Sequence, residues 1–201
     1  RRRLTVSRGL KYTSGLDPRV NVGRCCFFIL AEHKPPVFDN AGGIRLIVSR
    51  QRRPAADVLD QHIHSCNQLT SILAKLEANA AGADDAILLD AAGMLAETSS
   101  THVFLVRDGC VVTSTTRACP EGITRGVVLE ICAALRIAAC VRDVPAAEFA
   151  AADEMFVTGT MGEITPVAAV DGHRFAAVPG PVTARIMARF RQVARDPAEG
   201  V

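Results

Sequence analysis

Four short apolar segments follow one another between residues 86 and 114: "AILLD", "MLAET", "HVFLVR" and "CVVTS". The few residues between them include "AAG" and "RDG". No other feature narrows the fold as much. Each segment is too short for a stable helix, and connectors of this length carrying Gly or Asp close hairpins. A chain with such a block builds antiparallel sheet there, and the apolar face of that sheet requires a second layer.

Further strands are expected at "RLTVS" (3–7), "CFFILAE" (26–32), "IRLIVS" (44–49), "EMFVTGT" (154–160) and "ITPVAAV" (164–170), with "VDGHR" as a tight turn. Three helices are expected between them. In "NQLTSILAKLEANAAG" (67–82), Leu69, Ile72, Leu73, Leu76 and Ala80 recur at the spacing of a buried helical stripe, and Gly82 is a natural stop. A second helix runs from Ile123 to about Arg136. A third runs from Pro181, well placed in a first turn, to about Ala194. Strands in hairpins with a few helices laid against them give an α+β domain on a mostly antiparallel sheet. The segment "AEHKPPVFDNAGG" (31–43) reads as an exposed linker.

Composition narrows the partners. The chain of 201 residues carries a formal net charge of +2, too small to argue for nucleic acid or an acidic membrane surface. The basic clusters at Arg1 to Arg3 and around Arg50, Arg52 and Arg53 are short and read as a solvated face. Seven cysteines form no C-x-x-C pair, and most lie in apolar runs such as "CCFFIL" and "EICAAL". They read as buried thiols in a reducing, cytoplasmic setting. No apolar run approaches the roughly 18 residues of a membrane span, and no signal-peptide pattern opens the chain. The first residue is Arg and the first residues already read as strand, as though a beginning were missing.

Three motifs suit chemistry. In "CPEGITRGVVLEI" (119–131), Gly122 precedes a helix that opens with Ile123 and Thr124. Free amides at a helix start, with the dipole behind them and a Thr hydroxyl beside them, bind anions, although most helix starts bind only water. In "FVTGTMGEITPV" (156–167), a strand breaks into a small-residue turn that exposes amides and two hydroxyls, which suits a phosphate or carboxylate or a plain β-turn. In "MLAETSSTHVFLV" (94–106), Glu97 is either an exposed edge charge or a buried partner for a cation. A fourth stretch, "DQHIHSCNQL" (60–69), places His62 and His64 two residues apart. On a strand they would share a face, but no third metal ligand stands near them in sequence.

In their order and spacing these segments resemble the class IV aminotransferases, the fold-type-IV pyridoxal-phosphate enzymes that include branched-chain and D-amino-acid aminotransferases and aminodeoxychorismate lyase. The matching text is "NQLTSILAKLEANAAGADDAILLD", "LAETSSTHVFLVRDG", "EGITR", "ADEMFVTGTMGEITPV" and "GPVTARI", and the resemblance runs from about Arg3 to Arg195. It implies the large domain of that fold over residues 46–201. Residues 1–45 would be the truncated remnant of an N-terminal small domain and the interdomain segment. It also implies pyridoxal 5'-phosphate as cofactor, a small-molecule amino- or keto-acid substrate, and a homodimer. By the same resemblance Glu97 bonds the pyridine nitrogen, Ile123, Thr124 and Thr160 bind the cofactor phosphate, and Met161 and Gly162 face the substrate carboxylate. Arg8 matches an arginine that holds a carboxylate in the D-amino-acid branch, and equally well an exposed strand-end charge.

One departure is chemical. The family places its Schiff-base lysine just upstream of the Asn that precedes the helix, here Asn67, and this chain has His62-Ile63-His64 there. Depending on where the gap falls, His62 or His64 takes the lysine's position, His62 being favoured. The lysines of the chain are Lys11, Lys34 and Lys75, and none stands in that stretch. Imidazole moves protons near neutral pH but forms no covalent link to the cofactor aldehyde. Ordinary transamination is therefore doubtful. Three readings follow: an aminotransferase-type protein with cofactor lost or bound non-covalently, a cofactor-independent enzyme using His62 or His64 as acid or base, or a non-catalytic binding or assembly relative.

Overall fold

The computed structural model describes residues 2–35 and 37–196. The chain divides into two compact units that part at residues 35 and 36. This lies short of the boundary at 45, because Phe38 already packs on the core of the larger unit and Asn40 is hydrogen-bonded to its Gly162.

In the smaller unit, β1 (Arg2–Ser7) and β2 (Cys26–Ala31) pair antiparallel from Arg2↔Ala31 to Ser7↔Cys26. Two strands cannot enclose a core. Leu4, Val6, Phe27, Phe28, Ile29 and Leu30 are accordingly all exposed.

Among the described residues the larger unit is a nine-stranded mixed sheet with three α-helices. Its strands are β3 (Ile44–Arg52), β4 (Asp85–Leu89), β5 (Leu95–Thr98), β6 (His102–Arg107), β7 (Cys110–Thr113), β8 (Ala139–Val141), β9 (Glu154–Gly159), β10 (Glu163–Val170) and β11 (His173–Arg174). Their order is β5-β4-β3-β10-β9-β6-β7-β8, with β11 on β10. The hairpins at "AAG", "RDG" and "VDGHR" are present, β4–β5, β6–β7 and β10–β11 pairing antiparallel as β9–β10 does. However, β5 and β6 are not neighbours in the sheet, so the four segments at 86–114 do not form one continuous antiparallel block. Three parallel pairings, β3–β4, β3–β10 and β7–β8, were not foreseen. They join strands distant in sequence, the first across helix α1 (Leu69–Ala80) and the last across α2 (Ile123–Ala134), and no local turn marks such pairs.

Alternation along the strands divides the interior. Val103 and Leu105 of β6 and Met155 and Val157 of β9 join one large cluster with Ile44, Leu46, Ile87, Leu95 and Val112. Because this cluster gathers residues from both ends of the strand order, the sheet curls around it. The alternate residues Phe104, Val106 and Phe156 face outward under α2 and α3 (Pro181–Val193), meeting Val128, Ile131, Ile186 and Phe190. The Phe104 and Phe156 rings stack with centroids 4.9 Å apart.

Helix α1 corrects the expected stripe. Its buried residues are Ser71, Ala74 and Ala78, while Leu69, Ile72, Leu73 and Leu76 are exposed. Small side chains let the helix lie close on Ala86 and Leu88 of β4, which turns the leucines outward. The cysteines also differ from expectation. Cys119 and Cys132 are buried, whereas Cys25, Cys26, Cys66 and Cys140 are exposed and Cys110 is half-buried. No helix among the described residues is long and apolar enough to cross a membrane.

Candidate active site

The loop between β3 and α1 runs past the end of β5 and leaves a small cleft. It is lined by Arg53, Leu59, Gln61, Ile63, His64, Ser65, Asn67, Gln68, Glu97, Ser99 and Pro120. Its enclosed volume is about 60 Å³. That is room for a water or two, so a ring-sized ligand would lie across its open mouth.

Glu97 sits on β5 opposite Leu88 of β4 and is 5% exposed. Its Oε1 lies 2.5 Å from Nη2 of Arg53, which is itself 7% exposed. Arg53 is a cleft residue that the sequence placed wrongly. The run of arginines at 50–53 looks like a solvated face, yet its last member turns inward beneath the cleft. A buried carboxylate at 97 was the available signal, since it requires a nearby cation. Burial pushes the Glu97 carboxyl up to about 7, outweighing the opposite pull of Arg53, and the Asp85 carboxylate adds to the rise. A carboxyl in that range can hold or release a proton near neutral pH.

The two histidines separate. His64 is exposed and lines the cleft with Glu97. His62 instead turns to Asp60, donating from its backbone N–H and from Nδ1 to Oδ1, both at 2.9 Å. Those bonds, the backbone one first, hold Asp60 below the usual carboxylate range. No group of three His, Cys, Asp or Glu side chains converges on a metal position among the described residues.

Pro120 leads from the cleft to the start of α2. Gly122, at φ 75°, leads the helix, and no side chain caps it among the described residues. A helix start leaves its first amides without intrahelical partners, so the Ile123 and Thr124 N–H groups are open to an anion. Thr124 is buried and Ile123 exposed. Arg125 is drawn inward, its Nη2 donating to the Ser114 carbonyl at 2.8 Å.

The turn after β9 holds the remaining candidates. Thr160 and Met161 are exposed and Gly162 is buried, with the Gly162 N–H donating to the Gly159 carbonyl at 3.2 Å. Asn40, which the sequence placed in a plain linker, pins this turn. Its Nδ2 donates to the Gly162 carbonyl at 3.0 Å and its Oδ1 accepts from the Thr165 hydroxyl at 2.6 Å. The start of β6 stands between the two anion-type segments. Thr101 packs against Gly159, and His102 packs against Gly122. Arg8 lies in the smaller unit just after β1, exposed, its carbonyl accepting from Asn21.

These residues fit part of the cofactor that the sequence resemblance implies. A buried carboxylate at the cleft matches a protonated pyridine nitrogen, and an uncapped helix start matches a phosphate. They offer no amine for a covalent link. Lys75 donates to the Asp84 carbonyl, Lys34 pairs with Glu32 at 2.5 Å, and Lys11 donates to the Gly15 carbonyl at 2.6 Å. None of the three lines the cleft.

The sequence pattern of the family described as amino-transferase class IV matches residues 1–170. Branched-chain-amino-acid aminotransferase-like protein 1 of Arabidopsis thaliana is 42% identical over 195 residues, which cover 96% of this chain and 35% of that protein. A putative branched-chain-amino-acid aminotransferase of Methanocaldococcus jannaschii is 36% identical over 193 residues, covering 95% and 66%. The chain thus spans about a third of the plant relative's length. Among solved structures, the T.th. branched-chain amino acid aminotransferase with pyridoxamine 5'-phosphate superposes with a TM-score of 0.90 at 32% identity. That match covers 98% of this chain and 67% of the other.

Proposed function

Because the chain belongs to the amino-transferase class IV family, we propose that it binds pyridoxal 5'-phosphate without covalent attachment and acts on an amino- or keto-acid of the branched-chain type. One observation carries this reading. Glu97, held by Arg53, lines a single cleft with His64 and with Pro120, which leads into the open start of α2. The branched-chain character rests on the names of the relatives.

Bound there, the cofactor would supply an electron-withdrawing ring at the substrate amine. Glu97 accepts a hydrogen bond from the ring nitrogen, and Arg53 keeps its carboxylate oriented. The Ile123 and Thr124 amides and the Thr124 and Thr160 hydroxyls take the phosphate. Met161 and Gly162 face the substrate carboxylate. His64, exposed at the cleft, would accept and hold the proton released at the substrate Cα, a task for imidazole. With no lysine in the cleft, ordinary transamination falls by a large factor. The exposed, uncharged face of α1 (Leu69, Ile72, Leu73 and Leu76) supports a homodimer that covers it, and the free thiols support a reducing, cytoplasmic setting.

The test is to add pyridoxal phosphate to purified protein, record the visible spectrum and reduce with borohydride. Saturable binding with the spectrum of the free aldehyde is expected. Recovery of a pyridoxyl-modified lysine peptide would refute the reading. Sedimentation of wild type and Leu76→Lys tests the dimer, which the added charge should dissociate.

A cofactor-independent reaction is the second reading. It is favoured by a Glu97 carboxyl pushed to about 7 in the same cleft as an imidazole. Turnover in the absence of pyridoxal phosphate distinguishes it from the first reading. Single His62→Ala and His64→Ala variants then test the imidazoles, since turnover that survives both changes excludes histidine acid-base chemistry.

A further inference from the structure

His102 opens β6 and is 8% exposed. Its Nε2 lies 2.7 Å from the Pro120 carbonyl oxygen. A carbonyl only accepts, so Nε2 carries the proton. Burial, with the Arg125 and Arg53 charges adding to it, holds the imidazole below its ordinary value, against the raising effect of the Pro120 bond. The edge of the ring also occupies the space that a Cβ on Gly122 would need. One side chain therefore fixes the segment leading into α2 at two points, the carbonyl of Pro120 and the Cα of Gly122. Its neighbour Thr101 packs on Gly159, at the head of the turn that carries Thr160.

We propose that His102 is the positioning residue of the anion site at the start of α2, its ring clamping Pro120 and Gly122 so that the Ile123 and Thr124 amides point at one place. The inference rests on reading that helix start as the site of the cofactor phosphate. A histidine serves here because it donates at the far end of a flat ring whose edge packs flush on a glycine. Asparagine is too short to reach the same carbonyl.

The experiment compares His102→Met, which keeps the reach and loses the donor, with His102→Gln, which restores a donor at the position of Nε2. Amide hydrogen exchange is read in ligand-free protein at Gly126, whose N–H donates to the Gly122 carbonyl at 3.0 Å, with the Val182, Thr183 and Ala184 amides of α3 as the internal reference. Inorganic phosphate, pyridoxal phosphate and phosphate-free pyridoxal are then titrated. His102→Met should speed exchange at Gly126 about tenfold, with α3 unchanged, and weaken both phosphate-bearing ligands about tenfold while sparing pyridoxal. His102→Gln should recover most of both losses. If His102→Met does not fold, His102→Asn, whose amide stops short of Pro120, should give the same losses in smaller degree. Unchanged exchange in the donor-free variant overturns the clamp, as does faster exchange with undiminished phosphate affinity. Wild-type protein that binds neither phosphate nor pyridoxal phosphate overturns the anion site itself, and the exchange comparison then still decides whether His102 holds the turn.

Discussion

At the start of α3 the carboxylate of Glu154, buried on β9, accepts from the Val182 and Thr183 amides at 2.9 and 2.8 Å. At the start of α2 no side chain caps the corresponding amides among the described residues. The parts are otherwise alike. Each helix is led by a glycine on which a side chain closes, Glu154 on Gly180 and His102 on Gly122. Each start also has a buried glutamate within its corner of the sheet. Glu154 is spent on the helix itself, whereas Glu97 is turned to Arg53 and to the cleft. The contrast separates a structural helix start, whose positive end is neutralised from within, from one left to an external anion.

The largest effect should come from undoing the internal cap. Glu154→Ala removes two hydrogen bonds to a carboxylate and should cost about 4 kcal/mol in urea denaturation. Phosphate affinity at α2 should not change, and a stability loss below about 1 kcal/mol would erase the contrast.

The second glutamate should show itself through pH. In the folded protein Glu97 binds its proton up to about 7, above the ordinary 4.5. The native state therefore holds more protons than the unfolded chain between those values. Raising the pH through that window costs stability, on the order of 2 to 3 kcal/mol. His102 runs the other way. Its lowered value makes its contribution present above the ordinary 6.5 and lost as pH falls below it. Comparing wild type with Glu97→Gln at pH 5 and pH 7.5 isolates the first slope, which should be absent from the variant.

A smaller effect is expected for Gly122→Ala. The residue needs φ 75° and has His102 where its Cβ would go, so a loss of about 2 kcal/mol should accompany weaker phosphate binding. Gly180→Ala tests the other corner, since that residue is at φ −71°. There only the contact with Glu154 resists, and the two glycines should differ in cost.

The smallest effect sharpens the comparison most. Ile123→Asp places a carboxylate in the first turn of α2 and makes it resemble α3. Stability should rise by about 0.5 kcal/mol while phosphate binding weakens about tenfold. A variant in which both quantities moved the same way would show that the helix start is not an anion site.

Much of this was present in the linear text. The hairpin turns between residues 86 and 114 and between 163 and 174 are local events, and the glycine and aspartate in them settle the chain direction without reference to anything distant. Glu97 stands out because a carboxylate between small and apolar residues must either face water or find a cation. Gly122 before an apolar-periodic run marks a helix start for the same local reason.

What resisted reading depended on contacts between distant segments. The leucines of α1 follow an impeccable buried spacing, yet the helix turns its alanines to the sheet because close approach to Ala86 and Leu88 requires small side chains. Arg53 looks like the end of a solvated run until Glu97, far along the chain, draws it inside. His62 and His64 are equivalent on paper and differ only once Asp60 takes one of them and the cleft the other. Asn40 is an ordinary loop residue until the turn at Gly162 folds back onto it. The sequence by itself determined the strands, the hairpins, the helix starts and the absence of a lysine beside Asn67, because each depends on residues within a few positions. Tertiary structure alone decided which face of α1 is buried, which arginine is paired and which histidine meets the cleft. Those choices were settled by the cost of burying charge and by the space available between packed elements.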